Sequence, residues 1–178
     1  MVMYTNIFEY LLEDDILVND DNGIDYDSYY NEDYTVLTFP NKFNDSIQNT
    51  EFVDTLEHIN FGKKFCKSLK NVKFPSSVKS IKFGKKYNLS IDSVELPENL
   101  ESLEFGECFT RPINNLPPAL KKIIFYQITN TINNLPCTLE SIIIRNDPVL
   151  KFRVEHMEEI PHHLIKKIPH GCSICVEG

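Results

Sequence analysis

The chain has 178 residues, a hydrophobic content of 42% and a formal net charge of −8. That length suits one domain with a useful core, and the acidic balance argues against wholesale nucleic-acid binding, which usually needs a net basic domain. The N-terminal MVMYTNIFEYLLEDDILV lacks a basic start and reaches Glu13 before any long apolar run, so it reads as neither a signal peptide nor a membrane span.

Near the start, Thr5 or Asn6 suits the N-cap of a short helix whose Ile7, Tyr10 and Leu11 share one face. Residues 1–30 are expected to form this helical cap and the beginning of an acidic, Tyr-rich connector, DDILVNDDNGIDYDSYYNEDY at 14–34. Residues 13–33 carry nine carboxylates and no Lys or Arg, which predicts a solvated, partly disordered link. The alternative is an acidic peptide that docks on a basic surface.

From residue 31 to 152 the sequence repeats. Phe61-Gly62, Phe83-Gly84 and Phe105-Gly106 lie 22 residues apart, and the register extends back to Phe39 and, with shortening, forward to Phe125 and Ile144. Each position closes an L-x-x-L-x-F pattern: Leu56-Ile59-Phe61, Val78-Ile81-Phe83, Leu100-Leu103-Phe105, Leu120-Ile123-Phe125 and Leu139-Ile142-Ile144. A second apolar set runs Leu69-Val72-Phe74, Ile91-Val94-Leu96, Ile113-Leu116 and Ile132-Leu135, and Phe43, Phe65, Tyr87 and Phe109 mark a turn. A fixed period of this length is the signature of a solenoid, in which one coil cannot bury its own apolar face and stacking neighbours completes the core. The expected fold is a β-rich, leucine-rich-repeat-like stack of about six coils of 19–22 residues, about 29 Å long at the spacing of paired strands. Pro75, Pro97, Pro117 and Pro136 suit corners between strands. Gly62, Gly84 and Gly106 follow the main strand, where a tight turn would call for positive φ.

FNDSI (43–47), YNLSI (87–91), FTRPINNLP (109–117) and ITNTINNLP (128–136), each beside an L-x-x-L-x-F pattern, resemble FNIP repeats. These are leucine-rich-type repeats of about 22 residues, abundant in amoebae and in the large DNA viruses that infect them. FPSSVKSIKFG (74–84) is also similar to the cell-surface type of leucine-rich repeat. The resemblance implies protein–protein interaction, often as the substrate arm of an F-box ubiquitin ligase. Roughly thirty residues precede the first repeat, fewer than an F-box needs.

Residues 153–178 read as the C-terminal cap. Ile160-Pro161-His162-His163-Leu164 matches Leu135-Pro136-Cys137-Thr138-Leu139 in type, which predicts a degenerate last coil running to Ile174 or Val176. His162, His163 and His170 with Cys172 and Cys175 suggest zinc, but a single Cys-x-x-Cys makes Cys172 and Cys175 weak ligand candidates, and no cofactor is expected. The five cysteines have no framework spacing, which favours reduced thiols in an intracellular, cytoplasmic setting. No G-x-S-x-G, phosphate loop or H-E-x-x-H occurs, so an enzyme is not expected.

Nine of the eighteen basic residues fall between Lys63 and Lys86 with no acid among them: Lys63, Lys64, Lys67, Lys70, Lys73, Lys79, Lys82, Lys85 and Lys86. This belt either balances the acidic coils beside it or meets an anionic partner. On the main strand, the residue between the last two apolar positions points outward: Thr38, Asn60, Lys82, Glu104, Ile124 and Ile143. The face is polar at first and apolar at Ile124 and Ile143, a patch to be covered by the C-terminal segment or a second chain. The leading expectation is a module that binds another protein through one solenoid face, with Lys63, Lys64, Lys82, Lys85, Lys86, Glu104, Ile124 and Ile143 as candidate contacts. The alternative is a nucleic-acid or other anionic partner on the belt; no membrane role is expected.

Overall fold

A coil of about 22 residues offers one apolar row that only another coil can cover. The computed structural model, which describes residues 26–145 and 163–177, shows that stack. The strands are β1 (Val36–Thr38), β2 (His58–Asn60), β3 (Ser80–Lys82), β4 (Ser102–Glu104), β5 (Lys122–Phe125), β6 (Ser141–Arg145) and β7 (Ser173–Glu177). They form one parallel sheet in chain order. Ser80 faces Ser102, Ser102 faces Lys122 and Lys122 faces Ser141, so the coil shortens from 22 residues to 20 and then 19.

The inward strand residues Leu37, Ile59, Ile81, Leu103, Ile123 and Ile142 are buried in one ladder. Beside it, the rings of Phe39, Phe61, Phe83, Phe105 and Phe125 stack at 5.2, 5.6, 5.6 and 5.5 Å. The first four rings also meet a turn aromatic within the coil, as in Phe83–Tyr87 at 4.3 Å. Full burial of each such side chain stabilises by roughly 1.5–3 kcal/mol. Backbone bonds tie the coils beyond the strands, with the Phe61 N–H donating to Lys82 O and the Phe83 N–H to Glu104 O, both at 2.8 Å. Side chains add rungs: Asn44 accepts from the Cys66 N–H at 2.8 Å, and Asn88 from the Thr110 N–H at 2.9 Å.

The prolines stand at corners. The carbonyls of Pro75, Pro97, Pro117 and Pro136 each accept from the N–H three residues on. The glycine expectation needs correction. Gly62, Gly84 and Gly106 do not have positive φ; among the described glycines only Gly171 does. A Cβ on Gly84 would overlap the Gly62 carbonyl, and one on Gly62 would overlap the Pro40 carbonyl. Close backbone stacking, not turn conformation, excludes a side chain there.

Both ends differ from expectation. The helix expected near Ile7 lies outside the described residues, but 26–34 is ordered and not simply a solvated link. Tyr26 is fully buried and meets Phe39 and Phe43 edge-on at 6.1 and 6.2 Å, after which Asp27–Tyr29 form a 3-10 turn. Tyr30 bridges Leu37, and Asn31 accepts from the N–H groups of Thr35 and Val36. At the other end β7 pairs with β6, with Ile174 opposite Ile142 and Val176 opposite Ile144. The turn before β7 falls at Pro169, whose carbonyl accepts from the Cys172 N–H, and Pro161 lies outside the described residues. Ile165 bridges Ile132, which places Leu164 out of the expected register with Leu139.

Candidate interaction surfaces

The strand face follows from the pleat. Thr38, Asn60, Lys82, Glu104, Ile124, Ile143 and Cys175 form one outward ladder across β1 to β7. Glu104 is only 8% exposed and sits between two cations, with Lys82 Nζ at 3.1 Å and an Arg145 guanidinium nitrogen at 2.7 Å. The bond from Arg145 to the Tyr126 hydroxyl, reinforced by Glu104 and Glu177, holds the guanidinium above its ordinary pKa despite partial burial. Ile124 and Ile143 are 4% and 6% exposed, so they are covered within the chain and present no free apolar patch.

The basic belt is an electrostatic seam. Residues 61–82 carry seven lysines and no acid, and the coils on either side carry the acids. Lys79 pairs with Glu57 at 2.7 Å, Lys82 with Glu104, and Lys85 with Glu107, each across one coil boundary. The bond to Lys79 holds the Glu57 carboxyl below its ordinary value. The lysines are spread around the coil instead of gathering on one face. At the Phe-Gly corner, Lys64 and Lys86 stack in register, with the Lys64 N–H donating to Asn41 O and the Lys86 N–H to Lys63 O. Among the described residues, Lys63, Lys64 and Lys86 enter no ion pair.

The weak thiol pair does not converge. Cys172 is partly buried against the core, whereas Cys175 lies outward beside Ile143 and is exposed. Among the described residues no group of three or more His, Cys, Asp or Glu could hold a metal ion. His163 and His170 are exposed, and His162 lies outside the described residues.

Sequence reasoning missed a further surface. Phe74, Leu96 and Leu116 read as core, but the chain turns at the following proline and leaves them half-buried, with Phe52 in the first coil. Phe52 and Phe74 stack at 5.9 Å. Two adjoining open grooves of about 720 and 730 Å³ share Lys73 and Phe74, so one trough runs over four coils along the proline corner. The signal was present in the period: an apolar residue directly before each corner proline.

A parallel stack with one strand and three corners per coil defines a leucine-rich-repeat-type solenoid. Within that class the FNIP Repeat model matches residues 43–86 and 87–127, so this part of the chain is built of FNIP repeats. Both matched blocks begin on the turn aromatics, at Phe43 and Tyr87. Among solved structures the chain is similar to the giant-virus protein CroV588, described as a novel circular LRR protein, with 25% identity and a TM-score of 0.57. That likeness covers 79% of this chain and 20% of CroV588, so the chain spans about a fifth of its neighbour. No curated protein matches. Among the described residues no helix is long and apolar enough to cross a membrane.

Proposed function

We propose that this FNIP-repeat chain is a protein-interaction module, not an enzyme, and that it holds its partner along the proline-corner trough. The carrying observation is the half-exposed row Phe52, Phe74, Leu96 and Leu116, which recurs at one position over four coils and floors an open groove. Contiguous exposed apolar surface is disfavoured in water and marks contact sites. The outward ladder from Thr38 to Glu104 changes character from coil to coil while the core ladders do not, as suits a scaffold with a variable recognition surface. Five free cysteines support a reducing, intracellular setting.

The second reading is an anionic partner, nucleic acid included, on the corner that carries Lys63, Lys64 and Lys86. It is favoured by the absence of ion pairs at these three among the described residues.

The test is affinity capture from a eukaryotic lysate by the wild-type chain and by a Phe74→Ala/Leu96→Asp variant that keeps its fold by circular dichroism. Proteins held by the wild type at high salt and lost by the variant support the module. A captured set that is identical for the two chains removes the trough. Capture that fades steeply with salt and carries nucleic acid moves the assignment to the lysines.

A further inference from the structure

Resting on the interaction reading, we infer that the trough takes an extended segment of a partner protein in which every third residue is apolar and Lys or Arg stands between. The floor supplies apolar contacts once per coil, and the walls supply charge of one sign. Glu51, Asp54, Glu95 and Glu98 line the trough against a single cation, Lys73. None of the four carboxylates enters an ion pair among the described residues, although carboxylates on the strand side of the same coils do. The chain's formal charge of −8 attracts the same partner from a distance.

The conformation follows from what the walls offer. Asn49, Asn71 and Asn115 line the trough, and their side-chain amides make no hydrogen bond among the described residues. An amide can donate to and accept from a main chain. A helix has already spent its backbone groups internally, whereas an extended segment brings them free to bond. The spacing agrees: an extended chain rises about 3.1–3.3 Å per residue and coils stack at about 4.8 Å, so every third residue meets every second coil. Apolar side chains at that interval reach Phe52 and Leu96, or Phe74 and Leu116, and the residues between them face the carboxylates.

The experiment is selection of a phage-displayed library of random linear peptides on the immobilised chain, followed by titration of an enriched synthetic peptide. Enriched sequences should be basic and apolar. Affinity should fall about tenfold or more, roughly 1.4 kcal/mol, with Glu95→Lys/Glu98→Lys. It should be unchanged with Lys63→Glu/Lys64→Glu. The charge reversals lie on exposed positions, so the fold survives them. Enriched peptides that are acidic, or indifferent to Glu95 and Glu98, overturn the inference and leave the interaction module standing. No enrichment while lysate capture succeeds also overturns it alone; failure of both removes the module as well.

Discussion

Tyr87 stacks on Phe65 with ring centroids 6.1 Å apart and planes within 2°, so a tyrosine fills a slot that phenylalanine holds in the coils on either side. The ring gains the ladder's packing, but its hydroxyl is buried with no hydrogen-bond partner among the described residues. Thr50 repeats the situation in the row where Val72 and Val94 follow, and its hydroxyl is also buried and unpaired. Tyr87→Phe and Thr50→Val should each stabilise the chain by about 1 kcal/mol, because an unsatisfied buried hydroxyl is costly and its removal keeps the shape. Denaturant midpoints should rise with unchanged m. Lower midpoints for both would show that the hydroxyls are satisfied.

The buried tyrosines also give a pH dependence. Burial raises the Tyr30 hydroxyl from 10.0 to about 12, and burial raises Tyr87 as well. The neutral form is therefore favoured in the fold. Both contributions are fully present below about pH 10, and stability should fall as pH rises from there towards 12, where the unfolded chain loses protons that the folded chain retains. Melting followed at stepped alkaline pH should show the fall, and Tyr87→Phe should make it shallower. A flat profile through this window would mean that the two hydroxyls are open to water.

The glycines separate two causes that a sequence cannot separate. Gly84→Ala pushes a methyl into the Gly62 carbonyl, and displacing a packed backbone costs about 1–3 kcal/mol or more. Gly171→Ala meets open space but must hold φ at +82°, a left-handed strain of about 1–2 kcal/mol. Gly84→Asn should be as damaging as Gly84→Ala, whereas Gly171→Asn should be nearly neutral, because Asn tolerates left-handed φ but still carries a Cβ. Chemical denaturation of the four variants distinguishes the two sites.

The period made the core legible. Phe39, Phe61, Phe83, Phe105 and Phe125 recur because every coil needs the same ring at the same place, and so the ladder, its register and the outward positions could be read directly. Features that occur once could not. Tyr26 closes the first coil, but a lid has no second copy to reveal it among nine carboxylates. The last coil offered Pro161-x-x-Leu164 as its corner, and its degenerate spacing gave no sign that the turn before β7 falls at Pro169. Periodicity also shows that Phe74 and Leu96 belong together without showing on which side the tube is closed.

Phe83 is the central rung of the aromatic stack, touching Phe61 and Phe105 at 5.6 Å each. Phe83→Ala should cost about 3–5 kcal/mol, as deletion of a fully buried ring leaves a cavity. Phe74→Ala, at the half-buried corner, should cost clearly less. Equal losses in thermal unfolding would mean that the corner row is core, and the trough would then have no floor to offer a partner.

Ile143 and Cys175 face each other on β6 and β7, yet one is 6% exposed and the other lies open. An aspartate at 143 must either lose its water or take up a proton, and burying a polar group without a partner costs on the order of several kcal/mol. Arg145 offers little relief, since it is already engaged by Glu104 and Glu177. Ile143→Asp should therefore lower the melting temperature strongly, and the loss should shrink as pH falls towards about 4, because the buried carboxyl takes up a proton before the unfolded one does. Cys175→Asp, one strand over on the same face, should leave melting almost unchanged. If the two variants melt alike, the apolar end of the strand face is open to solvent, and Ile124 and Ile143 return as candidate contacts for a partner.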